Sequence, residues 1–233
     1  PDMKTSILFL LLSWPVLSLW AQAPACCETS AAPAQFASFG NQTAFQAQHP
    51  GVKAFNGAAL KGEMVEYQHE MGLAKAYFVA GPAESRLAIV VVHEWWGLNA
   101  HIKQEADRLF AEMGGQVHVI ALDMYDGETA ESPDKASELM QLVEPEKARS
   151  IIRGASDFLP EGTEIGTIGW FTREVVKSFE QNMQDAGKEL VYETFEGAQH
   201  AFANPSREIY NRPAADKANE LAAEFLKKNL LEE

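Results

Sequence analysis

Leu87-Ala88-Ile89-Val90-Val91-Val92-His93 is an unbroken apolar, β-branched run that leads straight into Glu94-Trp95-Trp96-Gly97-Leu98-Asn99. A strand with one face in water alternates apolar and polar residues. A continuous run of this kind suits a strand covered on both faces, as in a parallel sheet between helices. The text downstream agrees. Ile102, Ala106, Leu109, Phe110 and Met113 recur at helical spacing, and Gly114-Gly115 closes that helix. Residues 117–122 form a second buried strand. Ser132-Pro133 starts a helix that turns Ala136, Leu139, Met140 and Val143 inward. Pro145 opens another, with Ala148, Ile151, Ile152 and Ala155 inward. Residues 164–169 make a third strand, 172–186 a helix stopped by Gly187, and 190–195 a fourth strand. A last helix over 214–230 turns Ala218, Leu221, Ala222 and Phe225 inward.

Upstream, 64–67 and 75–80 are short β-prone runs around a polar turn at 69–72, which predicts a hairpin. The expected architecture over residues 61–233 is therefore α/β. It is a mostly parallel sheet with helices on both faces and an antiparallel hairpin at one edge.

Bulk composition narrows the function. The chain has 233 residues, 46% of them hydrophobic, and a formal charge of -14. That is enough apolar material for one sizeable core. So acidic a chain, without a basic cluster, does not suit a phosphate backbone, so no nucleic-acid partner is expected. Residues 1–25 read as a cleaved signal peptide: Lys4, then an apolar stretch over 7–20 interrupted by Pro15, then small residues around Ala23 and Ala25. The stretch is short for a bilayer span, so no span is expected in the mature chain. The expected location is periplasmic or secreted. Residues 26–60, rich in Ala, Gln and Gly, read as a flexible arm. Cys26 and Cys27 are the only two cysteines and are adjacent, so no disulfide framework exists; lipid attachment at Cys26 is the less favoured alternative to free export. A monomer is expected.

In an open parallel sheet, functional groups gather at the carboxyl ends of the strands. Four segments leave that edge: 93–99, 123–127, 166–170 and 196–202. His200, in a short loop after a strand, can act as a proton acceptor. Glu94 is a carboxylate placed directly after a buried strand. Asp123 and Asp126 end the neighbouring one. Trp95, Trp96, Tyr125 and Trp170 supply aromatic surface.

Taken together, Val90 to Asn99, Ala121-Leu122-Asp123-Met124-Tyr125-Asp126-Gly127, Gly166-Thr167-Ile168-Gly169-Trp170 and Phe195-Glu196-Gly197-Ala198-Gln199-His200-Ala201-Phe202 resemble, in order, the dienelactone hydrolase family of the α/β-hydrolase fold. The resemblance covers about residues 60–230. It implies His200 as general base and Glu94 as the glutamate that controls the nucleophile's ionisation. It also implies the backbone N–H of Trp95 as an oxyanion-hole donor, and an ester or lactone as substrate, with no cofactor and no metal. Asn204 and Gly127 stand where the family's carboxylate-gripping arginines are expected, which sets this chain apart from dienelactone itself as substrate.

One departure matters most. The family's nucleophile sits in a Gly-x-nucleophile-x-Gly turn, which also supplies the second oxyanion donor. Here Gly169-Trp170 is followed by Phe171-Thr172-Arg173-Glu174-Val175. That text resembles a later part of the family, so about 50 residues carrying the nucleophile and the triad aspartate are absent. The clean join points to excision of a whole segment, in the gene or in its assembly, rather than drift. No other Gly-x-Ser-x-Gly or Gly-x-Cys-x-Gly occurs in the chain. Two readings stay open: an ester or lactone hydrolase disabled or weakened in this chain, or a non-catalytic small-molecule binder using the same site. A zinc hydrolase is disfavoured, because His93-Glu94 lacks a second His at helical zinc spacing.

Overall fold

The computed structural model describes residues 51–168, 193, 195–198, 202–205 and 209–231. Five strands are formed: β1 Glu63–His69, β2 Gly72–Val79, β3 Leu87–Val92, β4 His118–Leu122 and β5 Glu164–Ile168. Four helices accompany them: α1 Ala100–Glu112, α2 Pro133–Gln141, α3 Pro145–Phe158 and α4 Arg212–Leu230. The predicted helix 172–186 lies outside the described residues, as does the predicted strand 190–195 apart from positions 193 and 195.

The strand order is β1-β2-β4-β3-β5. β3 pairs in parallel with both β4 and β5, and β2 pairs antiparallel with β1 and β4. Four of the five strands therefore share one direction and only β2 opposes them. This is the mixed sheet that the hairpin and the unbroken apolar runs predict. The hairpin is tight: His69 faces Gly72, which takes φ +140 in open space.

Period-two alternation sorts the strand residues onto two faces. Ile89, Val91, Val119 and Ala121 pack with Leu109 and Met113 of α1 and Leu226 of α4. Ala88, Val90, Ile120 and Leu122 pack with Ile151 and Ala155 of α3. Helices thus cover both faces. Each fully buried Ile or Leu contributes about 1.5–3 kcal/mol.

Two helices are rotated from their predicted faces. Ile152 on α3 is 44% exposed and Phe225 on α4 is 41% exposed, although periodicity turned both inward. Glycines explain both. A Cβ on Gly154 would lie 2.6 Å from the Gln68 carbonyl oxygen, so α3 rests directly on the hairpin backbone through its Gly154 side. Its buried stripe becomes Ser150, Ile151, Gly154 and Ala155, which leaves Ile152 on the flank. In β5, a Cβ on Gly166 would lie 2.7 Å from Leu226 Cδ2 and 3.1 Å from Leu230 Cδ1. The slot above this glycine takes Leu226 and Leu230, and Phe225 turns outward.

Residues 51–62, mostly part of the predicted arm, lie along α1. Val52 packs against the Trp95–Trp96 cluster, and Phe55 meets the His101 ring edge-on at 5.3 Å. Lys61 N–H donates to Asp107 Oδ2 (2.9 Å), and the Tyr77 hydroxyl donates to Asp107 Oδ1 (2.8 Å). Among the described residues, no helix is long and apolar enough to cross a membrane.

Candidate active site at the carboxyl edge

After β3 the chain makes a tight turn. Gly97 N–H donates to the Glu94 carbonyl (3.1 Å), with Gly97 at φ +84. A Cβ at Gly97 would sit 2.7 Å from Glu128 O and 3.1 Å from Tyr125 Cδ2, so both conformation and space require glycine. Asn99 then caps α1, its side-chain oxygen accepting from His101 N (3.0 Å) and Ile102 N (3.2 Å). Trp95 and Trp96 are therefore held between two local anchors.

The loop after β4 grips this turn from the side. His93 Nδ1 lies 2.7 Å from the Glu94 carbonyl oxygen, and Met124 N–H donates to His93 Nε2 at 3.1 Å. A carbonyl can only accept, and an amide N–H can only donate. The ring is therefore neutral, with its proton on Nδ1. Desolvation pushes its pKa below the ordinary value, opposed by the Glu94 carbonyl and by the Asp123 charge. The Tyr125 ring meets His93 edge-on at 4.6 Å, and its hydroxyl donates to the Trp95 carbonyl (3.2 Å). Burial raises the Tyr125 pKa, so the phenol stays protonated. Ala130 N–H donates to the Trp96 carbonyl (3.1 Å). Three successive carbonyls, of Glu94, Trp95 and Trp96, are thus fastened.

The aromatic candidates sit deep. Trp96 is 1% exposed, and Trp95 and Tyr125 are also buried, packed with Ala136, Leu139 and Met140 of α2. Trp170 and His200 lie outside the described residues. The two aspartates differ. Asp123 is 2% exposed and accepts from Tyr125 N–H at 2.9 Å, which shapes its own loop. Asp126, at φ +56, is exposed and pairs with Lys147 of α3 at 2.6 Å.

Glu94 is the point where distant sequence meets. Asn204 Nδ2 donates to Glu94 Oε2 at 2.6 Å across 110 residues. Asn204 follows His200 by four positions. The loop's flanks are defined: Ala198 N–H closes a turn on Phe195 O with Gly197 at φ +74, and the Phe195 and Phe202 rings pack at 5.1 Å. The chain around 202–204 therefore comes back to the carboxylate that sequence singled out. Among the described residues, no cluster of three or more His, Cys, Asp or Glu is placed to hold a metal. Two participants escaped sequence reading. His93 counted only as the end of a strand and as half of a rejected zinc motif, and Asn204 only as a missing arginine.

Comparison with known proteins completes the site's context. The signature of the dienelactone hydrolase family matches residues 75–169 and, separately, 166–230. The two pieces meet at 166–169, after which the sequence holds no Gly-x-Ser-x-Gly or Gly-x-Cys-x-Gly. Residues of the chain are 35% identical, over 106 positions, to protein usf of Aquifex pyrophilus; the match takes in 43% of this chain and 44% of that protein. They are 39% identical over 82 positions to a putative carboxymethylenebutenolidase of Aquifex aeolicus, 34% of each chain. The chain thus spans less than half the length of these curated relatives. Among solved structures, a dienelactone hydrolase-like promiscuous phosphotriesterase from metagenomic libraries superposes with a TM-score of 0.59 at 16% identity, over 73% of this chain and 99% of that one. A putative dienelactone hydrolase from Klebsiella pneumoniae gives 0.55 at 14% identity, over 73% and 100%. At such identities these two structures show the α/β-hydrolase fold alone.

Proposed function

This chain belongs to the dienelactone hydrolase family, and on that premise we propose that it binds the carbonyl of a carboxylic ester or lactone at the carboxyl edge with little or no turnover. The observation that carries this is the break in the family match at 166–169. It falls where a nucleophile turn would follow β5, while the turn at 94–97 is fully built. In this reading the Trp95 N–H is the surviving oxyanion donor, Glu94 the neighbouring carboxylate and His200 the base. Trp96, Tyr125 and Trp170 form the aromatic surround.

The magnitudes support weak catalysis. A site without its triad retains about 10^3–10^4 over water from the hole and from binding. Losing one hole donor removes about 10^2–10^3 of that. Roughly tenfold over buffer remains. Steady-state hydrolysis of an activated aryl ester by the wild type and by His200→Ala tests the reading. The expected result is near-background rates in both, with lactone-induced quenching of tryptophan fluorescence. Fast turnover that disappears in His200→Ala would sink it and reveal another nucleophile.

We also propose export by way of residues 1–25. The small-x-small pattern at Ala23 and Ala25 supports it. Mass spectrometry of the cell-envelope and medium fractions should find a mature chain beginning near Cys26; an uncut chain confined to the cytoplasm would overturn it.

A further inference from the structure

We infer that His93 is a positioning residue for the oxyanion hole: its imidazole pins the Glu94 carbonyl to the loop after β4 and so turns the Trp95 N–H the opposite way, to where an ester oxygen would develop charge. The inference rests on the reading that the Trp95 N–H is the oxyanion donor.

The geometry is that of the peptide bond. In a trans peptide the C=O and the following N–H point in opposite directions, and no cis peptide occurs among the described residues. The Glu94 carbonyl accepts from both His93 Nδ1 (2.7 Å) and Gly97 N (3.1 Å). With that carbonyl held on the side of the 123–125 loop, the N–H of Trp95 is directed away from the loop. The Gly97 bond alone closes a turn, which still leaves the turn free to rock. The bond from Met124 N–H to His93 Nε2 supplies the external fixed point, because Met124 stands only two residues past the end of β4. Tyr125 reinforces it by holding the next carbonyl, that of Trp95. An oxyanion donor contributes only when it is aimed before charge develops.

The ring does this in one protonation state alone. Nδ1 must donate and Nε2 must accept. A protonated imidazole offers a second donor where Met124 already presents one, so the two repel. The titratable groups facing the ring are Asp123 and Tyr125 on the β4 loop, and Glu94 meets it through its backbone carbonyl. Asp123 favours the protonated ring, and desolvation disfavours it. A glutamine at position 93 offers one donor and one acceptor with no titration. A leucine offers neither.

The test uses the full chain and p-nitrophenyl methylphosphonate, a tetrahedral monoanion that mimics the charged intermediate and stays charged across the range. Its affinity is read by tryptophan quenching from pH 8 to pH 5. The ring nitrogens of His93 are read by 15N NMR. The expected ring spectrum near neutral pH has the proton on Nδ1. Over whatever pH range the 15N spectrum shows the ring protonating, wild-type affinity should fall about five- to tenfold, the worth of one hydrogen bond. His93→Gln should keep near-neutral wild-type affinity and lose that pH dependence. His93→Leu should be about tenfold weaker at every pH. A proton on Nε2, a Leu variant that binds like wild type, or an acid fall that persists in the Gln variant would each overturn the inference. Failure of the wild type to bind at any pH would instead overturn the ester-site reading. The Trp95 amide resonance then judges His93: a shift in Leu but not Gln supports its role, and equal shifts in both refute it.

Discussion

The carboxyl ends of β3 and β5 lie side by side in one parallel ladder, and the sequences that follow them differ. β3 is buried along residues 88–91 and passes into a turn in which each of three consecutive carbonyls has a donor. β5 pairs with β3 from Leu87↔Glu164 to Val91↔Ile168, yet Ile165 is 37% exposed, and the family match breaks just beyond it. Strand pairing survived at both. Strand pairing needs only an apolar run of the right length and a slot for its neighbours, which Gly166 still supplies to Leu226. Chemistry needs the loop that follows. A sheet can therefore keep its register whatever connection follows each of its strands.

The largest effect should come from making the two ends alike. Inserting a relative's nucleophile-turn segment between Trp170 and Phe171 should raise kcat/KM for an activated aryl ester by about 10^4-fold or more. An unchanged rate in a chain that still folds would show that the β3 end is also unfit. Core truncation sharpens the contrast next. Ile89→Ala in β3 should cost about 2–5 kcal/mol, and Ile165→Ala in β5 clearly less, both read from urea unfolding. Equal losses would remove the distinction. At the turn, Gly97→Ala must place a Cβ against Glu128 O at φ +84 and should cost about 2 kcal/mol. Gly162→Ala, at φ +77 in open space, should cost about 1 kcal/mol by the same assay.

Acid should act through the histidines at the β3–β4 ladder. His93 and His118 both have folded pKa values below the ordinary 6.5, mainly through desolvation. The unfolded chain therefore takes up protons first. Unfolding free energy should fall as pH drops below about 6.5, by at most about 1.4 kcal/mol per pH unit for each ring. His93→Gln should flatten part of that slope in pH-dependent denaturation; an unchanged slope would count against a desolvated His93. The smallest effect belongs to Arg153→Ala. Its 3.8 Å pair with Glu70 is exposed on both sides, and the unfolding midpoint should shift within error.

Much of the fold was legible because its signals are local. The unbroken run at 87–92 and Ser132-Pro133 announce a buried strand and a helix start from neighbouring residues alone. Ser132 Oγ does accept from Lys135 N, and Asn99 caps as its residue type favours. The candidate site was legible in part for the same reason. Glu94 and Trp95 declare themselves by standing within three residues of the end of β3. His93 did not, because its role depends on Met124, 31 residues away. Asn204 did not, because its partner lies 110 residues off.

By itself the sequence determined which of the described segments are strands and helices, the direction of the parallel core and that no Gly-x-Ser-x-Gly or Gly-x-Cys-x-Gly follows β5. Each follows from residue type within a few positions. Tertiary structure alone decided which way α3 and α4 face and how the turn at 94–97 is aimed. Helical periodicity marks an apolar stripe but not its centre. Gly154 against Gln68, and Gly166 beneath Leu226, set that centre through close approach between elements. The Trp95 N–H takes its direction from a peptide plane fixed by His93 and Met124, a contact that exists only once β3 and β4 lie side by side.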